Sequence, residues 1–248
     1  MKAVLEVRHT EDPSTRWSKA AYEQIYRTHE IRHPDSFYRW LVSVLDAPPG
    51  SLLIDVSCGV GSLSRLASQR GLRAYGVDFS QVALQTAQRV APCVDWVAGD
   101  GESLPYADRS FDYVTHIGSL EHYACPAAGA REIGRLLRPD GTACVLLPNT
   151  FGLMGNVWTA LRTGRTFDDG QPIQRYAARL EWQDLLESAG LVVAETLKFE
   201  SAPIYTLKDV RWYLARPRSL IRLLLAPLVP INWANYFVYL CHKASGVG

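Results

Sequence analysis

The chain reads as a single α/β domain on an open, mostly parallel sheet with helices on both faces. Three observations predict this. From Leu52 onward, short and predominantly apolar runs alternate with amphipathic segments; strands this apolar are buried on both faces, as parallel sheets require. The first run leads into a glycine-rich turn, Ser57-Cys58-Gly59-Val60-Gly61. The length of 248 residues accommodates one large domain of this kind.

Taken in order, residues 14–45 carry Trp17, Tyr22, Ile25, Tyr26, Phe37, Trp40, Leu41 and Val44 at helical spacing. His33 and Pro34 mark a break between two helices, and Ala47-Pro48-Pro49-Gly50 closes a helical cap over residues 1–48. A cofactor-binding core follows over 51–200. Its strands are expected at Leu52 to Val56, Ala74 to Val77, Val94 to Ala98, Tyr113 to Ile117 and Ala143 to Leu147, with helices at Leu63 to Arg70, Gln81 to Val90 and Ala127 to Leu137. The alternation lapses over an insert at 151–180. A helix from Trp182 to Ala189, closed by Gly190, and a strand from Leu191 to Phe199 come next. A second insert, 203–233, precedes a last strand within 234–243, for seven in all.

Composition excludes several function classes. Lys plus Arg total 26 against 25 for Asp plus Glu, so no global charge pulls the chain to nucleic acid. The five cysteines are scattered and form no CxxC pair, which argues against a disulfide framework and a zinc site and for a cytoplasmic setting. The stretch beginning MKAVLEVRHTEDPSTRW is too short in apolar residues for a signal peptide. Leu220 to Ile231, broken by Arg222, Pro227 and Pro230, falls short of the roughly 20 residues a spanning helix needs.

The glycine turn lets a ligand approach the backbone at a helix N-terminus. Asp55, on the strand entering it, would repel a pyrophosphate, which disfavours a nicotinamide cofactor, as does Ser64 at the third glycine position. It suits a ligand carrying an ammonium group, such as S-adenosylmethionine. Asp78, at the tip of the second strand, is placed to accept ribose hydroxyls. Asp100, followed by Gly101 and Glu102 after the third strand, is placed to accept from an adenine amine, with Phe79 packing on the ring. The competing reading is that these acids cap the helices that follow them; three acids at three successive strand ends favour one linear site.

Ile54-Asp55-Val56-Ser57-Cys58-Gly59-Val60-Gly61, Gly76-Val77-Asp78-Phe79-Ser80, Gly99-Asp100-Gly101-Glu102-Ser103-Leu104-Pro105 with Ser110-Phe111-Asp112, and Arg131 to Gly141 resemble, in order and spacing, the class I S-adenosylmethionine-dependent methyltransferases of the small-molecule type 11 group. These include ubiquinone-pathway and natural-product enzymes. The resemblance implies a Rossmann-like seven-stranded sheet whose last strand is antiparallel. It also implies a cofactor site of Asp55, Gly59 and Gly61 for the methionine part, Asp78 for the ribose and Asp100 for the adenine edge, with Ile117 beside them. Ser57 departs from the family's glycine and is itself a candidate contact. His116-Ile117-Gly118-Ser119-Leu120-Glu121-His122-Tyr123 is similar to a segment that holds a metal in some ubiquinone-pathway enzymes; Gly118 replaces one ligand, so no metal is expected.

Methyl transfer from a sulfonium needs alignment and exclusion of water more than acid-base chemistry. Where the acceptor carries a proton, the resemblance, which puts this segment at the methyl-transfer face, makes His122 the first candidate base, followed by His116 and His33; an ordinary structural role competes for each. The acceptor is expected to be small and apolar or aromatic, from the cap and insert residues Tyr22, Tyr26, Phe37, Phe151, Trp158, Tyr176, Trp212 and Tyr213. Both inserts are expected to cover it. For 203–233 a lid, a dimer contact and a peripheral membrane contact all stay open, as do a monomer and a homodimer. The alternative function is a catalytically silent binding partner.

Overall fold

The computed structural model describes residues 4–9, 15–28 and 33–244. Ser14, where the first helical series is expected to begin, the side chain of Trp17, and residues 1–3 and 10–13 of the stretch read for a signal peptide lie outside that description. In chain order the elements are strand β1 (Val4–Arg8), helices α1 (Thr15–Thr28) and α2 (Asp35–Leu45), β2 (Leu52–Val56), α3 (Ser62–Gln69), β3 (Arg73–Asp78), α4 (Gln81–Val90), β4 (Asp95–Ala98) and β5 (Phe111–Ile117). A 3-10 turn (Leu120–His122), α5 (Pro126–Leu136) and β6 (Leu137–Pro148) follow. The first insert holds a π-type turn (Leu153–Val157), α6 (Trp158–Thr163) and β7 (Ile173–Ala177). Then come α7 (Arg179–Ser188), β8 (Leu191–Phe199), α8 (Leu207–Leu214), α9 (Pro217–Leu225) and β9 (Tyr236–Lys243).

The seven expected strands form one sheet in the order β4-β3-β2-β5-β6-β9-β8. Only β9 runs against the rest, pairing antiparallel with both β6 and β8. The chain winds outward through β3 and β4 and then returns to place β5 beside β2. That reversal opens a crevice beyond the carboxyl ends of β2 and β5, where open α/β sheets bind ligands.

Alternation along the strands divides the core between the two faces. Ile54 and Val56 point to a layer built from Ala130, Ile133 and Leu136 of α5 and Trp182 and Leu186 of α7. Leu53 points to the opposite layer, with Phe37 and Leu41 of α2 and Leu63 and Leu66 of α3. Both layers are buried, and the sheet between them fixes the strand ends.

One element departs from expectation. The 1–48 segment is not all helix, because β1 pairs antiparallel with β7 in a separate two-stranded sheet. The pair is joined by Arg175 Nε donating to Glu6 Oε2 at 2.7 Å, so a polar contact holds it where a core stripe would have been legible. In the second insert, Pro217 both breaks one helix and opens the next, sitting at the first helical position of α9 where its missing N–H costs nothing.

Candidate active site

The crevice holds a cavity of about 420 Å³. Strand ends supply its floor. Asp55, Asp78 and Asp100 all line it, together with Ser57, Gly59, Phe79, Glu102 and Ile117. The three acids thus converge on one site, as their spacing predicts.

Their local bonding explains how they are held. Asp78 accepts from the backbone N–H of Gly59 and of Ser80, each at 2.8 Å, tying the end of β3 to the glycine turn. Thr115 Oγ donates to Asp55 at 2.7 Å and Ser64 Oγ donates to it at 3.3 Å. Asp100 accepts from Glu102 N–H, and Glu102 accepts from Cys125 N–H, both at 2.9 Å. Burial raises the carboxyl of Asp55 to about 7 and that of Asp78 to about 6, against the hydrogen bonds that favour the ionised forms. Among the described lining residues there are four carboxylates and no lysine or arginine. Such a wall favours a cationic guest and opposes a pyrophosphate.

The turn takes a left-handed backbone at a position that is not glycine. Ser57 has φ +55°, in the left-handed region that glycine normally fills. Its hydroxyl is 2.6 Å from Tyr123 Oη, a bond that anchors the strained residue. Gly59 is also left-handed, and a Cβ there would stand 2.7 Å from Tyr26 Oη.

Two expected contacts belong to packing. Gly61 does not line the cavity; a Cβ on it would lie 2.2 Å from the Trp96 ring, which fills that space. Gly101 likewise gives way to Tyr123, whose Oη would lie 1.8 Å from an added Cβ. Glycine is required at both positions, though for a side chain of the protein itself.

The three histidines separate. His116 is fully buried on β5, bonded through Nδ1 to Ser119 Oγ at 3.1 Å and packed on Tyr123, so it does not reach the cavity and is removed as a base. Burial drives it down to about 3. His33 lines the cavity from an exposed position and packs against Phe37 with centroids 4.4 Å apart. His122 lines it too. Its Nδ1 donates to the Ile173 carbonyl at 2.5 Å, which fixes the proton on that nitrogen and leaves Nε2 as the free one, 3.8 Å from Glu121 Oε1. Burial lowers His122 below the ordinary imidazole value and raises Glu121 to about 8.

The 3-10 turn carrying His122 is held by the small sheet. Arg175 of β7 donates through Nη1 to the carbonyls of Glu121, at 3.2 Å, and Tyr123, at 2.5 Å. Sequence reasoning missed Arg175, which sits in no motif, and the role of Tyr123, which closes the segment from His116 but acts across the fold. It also missed Gln171, which accepts from Tyr22 Oη at 2.7 Å inside the cavity wall.

The cover differs from the expected one. Ser18, Tyr22 and Tyr26 of α1 close the cavity, with Tyr38. From 151–180 only Gln171 lines it, and no residue of 203–233 does. Phe37 is core, Phe151 and Trp158 are exposed, and Tyr213 is buried with its hydroxyl on the Ala202 carbonyl at 2.6 Å. Arg216 lies 4.6 Å over the Trp212 ring, and Tyr176 lines a second, smaller cavity with Arg222.

Residues 54–145 match the family model for the methyltransferase domain. That segment is similar to a methyltransferase domain. It spans β2 to β6 and so contains all three strand-end acids and His122. Among curated proteins, the chain is 33% identical over 137 residues to a demethylmenaquinone methyltransferase of Renibacterium salmoninarum, an alignment covering 53% of this chain and 58% of that one. The chain spans between 42% and 58% of the lengths of the first curated relatives it matches. Among solved structures, the 1,6-didemethyltoxoflavin-N1-methyltransferase of Burkholderia thailandensis, bound to its substrate and S-adenosylhomocysteine, is similar with a TM-score of 0.62 at 18% identity, covering 98% of this chain and 95% of that one. The [4+2]-cyclase SpnF is similar with a TM-score of 0.67 at 19% identity, covering 94% and 97%. At these identities the likeness shows a shared fold, and a fold also used by a cyclase does not by itself fix the reaction.

Proposed function

We propose that the chain transfers a methyl group from S-adenosylmethionine to a small, planar, quinone-type or other aromatic acceptor, and that residues 1–248 act as one methyltransferase unit. The observation that carries this is the cavity wall of four carboxylates with no lysine or arginine among the described lining residues, at the glycine turn of a segment similar to a methyltransferase domain. It suits a cofactor with a sulfonium and an ammonium group. The name of the curated relative supports the acceptor class, as do Tyr22, Tyr26 and Phe79, which bring aromatic rings to the cavity.

S-adenosylmethionine supplies an electrophilic methyl group on a cationic sulfur. Asp78 and Asp100 hold the nucleoside part, and Asp55 with the turn at Ser57 and Gly59 holds the amino-acid part. The α1 tyrosines exclude water. His122 Nε2, left free by the bond of Nδ1 to Ile173, accepts a proton from an acceptor hydroxyl or amine. The unpaired cysteines support a reducing, cytoplasmic setting, and no helix of the described residues is long and apolar enough to cross a membrane.

Calorimetric titration tests the cofactor: S-adenosylhomocysteine should bind with about micromolar affinity and NAD should not. Binding of NAD alone, or of neither, would remove the reading. Methyl transfer to a demethylated naphthoquinol then tests the acceptor class.

Turnover is expected to survive EDTA. Gly118 stands where the similar metal-holding segment has a carboxylate, and Glu121 and His122 alone make a poor divalent site. Activity abolished by the chelator and restored by magnesium would refute this expectation.

A further inference from the structure

The segment from 203 to 233 stands apart in charge and exposure. It carries Lys208, Arg211, Arg216, Arg218 and Arg222 against the single acid Asp209, a net +4 in a chain whose total is +1. The remainder of the protein is therefore net −3. Among the described residues, Lys208, Arg211, Arg216 and Arg218 are exposed and have no carboxylate partner. Their positive charge is uncompensated at the surface.

Apolar side chains share that surface. Ile221, Leu224, Leu225 and Leu228 follow helical spacing along α9 and the 3-10 turn after it, and with Leu214 and Trp233 they are between 41% and 77% exposed. No residue of α9 is buried. Single exposed leucines are ordinary, but a run at helical spacing is not.

The inner side of this element is fastened by polar contacts. Lys198 Nζ donates to the carbonyls of Ala226, Pro227 and Val229, at 3.0, 3.1 and 2.6 Å, and Arg222 faces buried Glu200 at 3.6 Å. Tyr213 is tied to Ala202. These bonds hold α8 and α9 in place, so the outward apolar row is not needed for their attachment. A lid does not explain it either, since no residue of the segment lines the large cavity.

We propose that this face docks on an anionic lipid bilayer, with Leu224, Leu225, Leu228 and Trp233 entering the interface and Arg211, Arg216 and Arg218 meeting the headgroups. Amphipathic helices with basic flanks and an apolar row lie in such interfaces. The charge selects this occupant over a second copy of the chain. A two-fold contact sets a surface against itself and would bring two net +4 segments together, whereas anionic headgroups neutralise them. The proposal stands on the surface and is independent of the methyl-transfer reading.

Its test is sedimentation of the full chain with vesicles of phosphatidylcholine containing phosphatidylglycerol, beside vesicles of phosphatidylcholine alone. S-adenosylhomocysteine titration and far-UV circular dichroism check that each variant is folded. The wild type should sediment with the anionic vesicles far more than with the neutral ones, and less as salt is raised. Arg211→Gln and Arg218→Gln should each lower partitioning roughly fivefold, and Leu224→Glu with Leu228→Glu should abolish it. Failure of the wild type to sediment, or unchanged partitioning in folded variants, would overturn the proposal. So would a dimer in light scattering that the two glutamates dissolve, which would assign the face to a second copy.

Discussion

Replacing His122 by alanine is expected to lower kcat by about a hundred- to ten-thousandfold while S-adenosylhomocysteine affinity changes little. The expectation rests on orientation. The Ile173 carbonyl holds the Nδ1 proton, so the free Nε2 carries the lone pair at the cavity. Burial lowers the imidazole below its ordinary value of 6.5, so it is neutral at neutral pH. A base works unprotonated, and the rate should therefore fall as pH drops through the lowered value. The acidic limb of kcat then lies below pH 6.5, and the alanine variant should lose that limb. A variant that keeps the limb, or loses turnover only in step with cofactor affinity, would show His122 to be structural.

Asp78→Ala is expected to weaken S-adenosylhomocysteine binding by about 1.5 to 3 kcal/mol, the range for charge-assisted hydrogen bonds and roughly ten- to a hundredfold or more in affinity. Its oxygens also receive the N–H groups of Gly59 and Ser80, so part of the loss comes through the glycine turn. The wild-type pH profile separates the two contributions. Burial raises the carboxyl to about 6, so affinity through an ionised acceptor should decline as pH falls below about 6. In the alanine variant the part of the decline set by Asp78 should vanish, leaving the one that Asp55, raised to about 7, imposes at higher pH. Calorimetry across pH measures both, and an unchanged affinity in the variant would take Asp78 out of the site.

The readable part of this molecule is the part whose determinants are local. Each strand-end acid sits in a short run of apolar residues followed by a turn, and the parallel sheet delivers all three to one edge. The sequence marks Ser57 as a departure from glycine, but only the fold reveals Tyr123 as the partner that stabilises its left-handed backbone. Gly61 and Gly101 look like ligand cradles in sequence and are filled by Trp96 and Tyr123, because a missing Cβ does not say what occupies the space. His116 and His122 cannot be ranked from spacing, since a strand end and a 3-10 turn orient them differently. The strands β1 and β7 carry no clean alternation, and a salt bridge between distant segments adds to the backbone ladder that pairs them.

The pairing of β1 with β7 also bears on the order of assembly. Glu6 and Arg175 are separated by 169 positions, and closing so long a loop has a high entropic cost that later contacts must recover. The seven-stranded sheet between them is built mainly from nearer neighbours and can condense first. The strand β7, whose Ile173 and Arg175 position His122, then gains its own pairing partner only when the first strand returns from the other end of the chain. Folding intermediates of this protein should bind cofactor before they gain a properly oriented base.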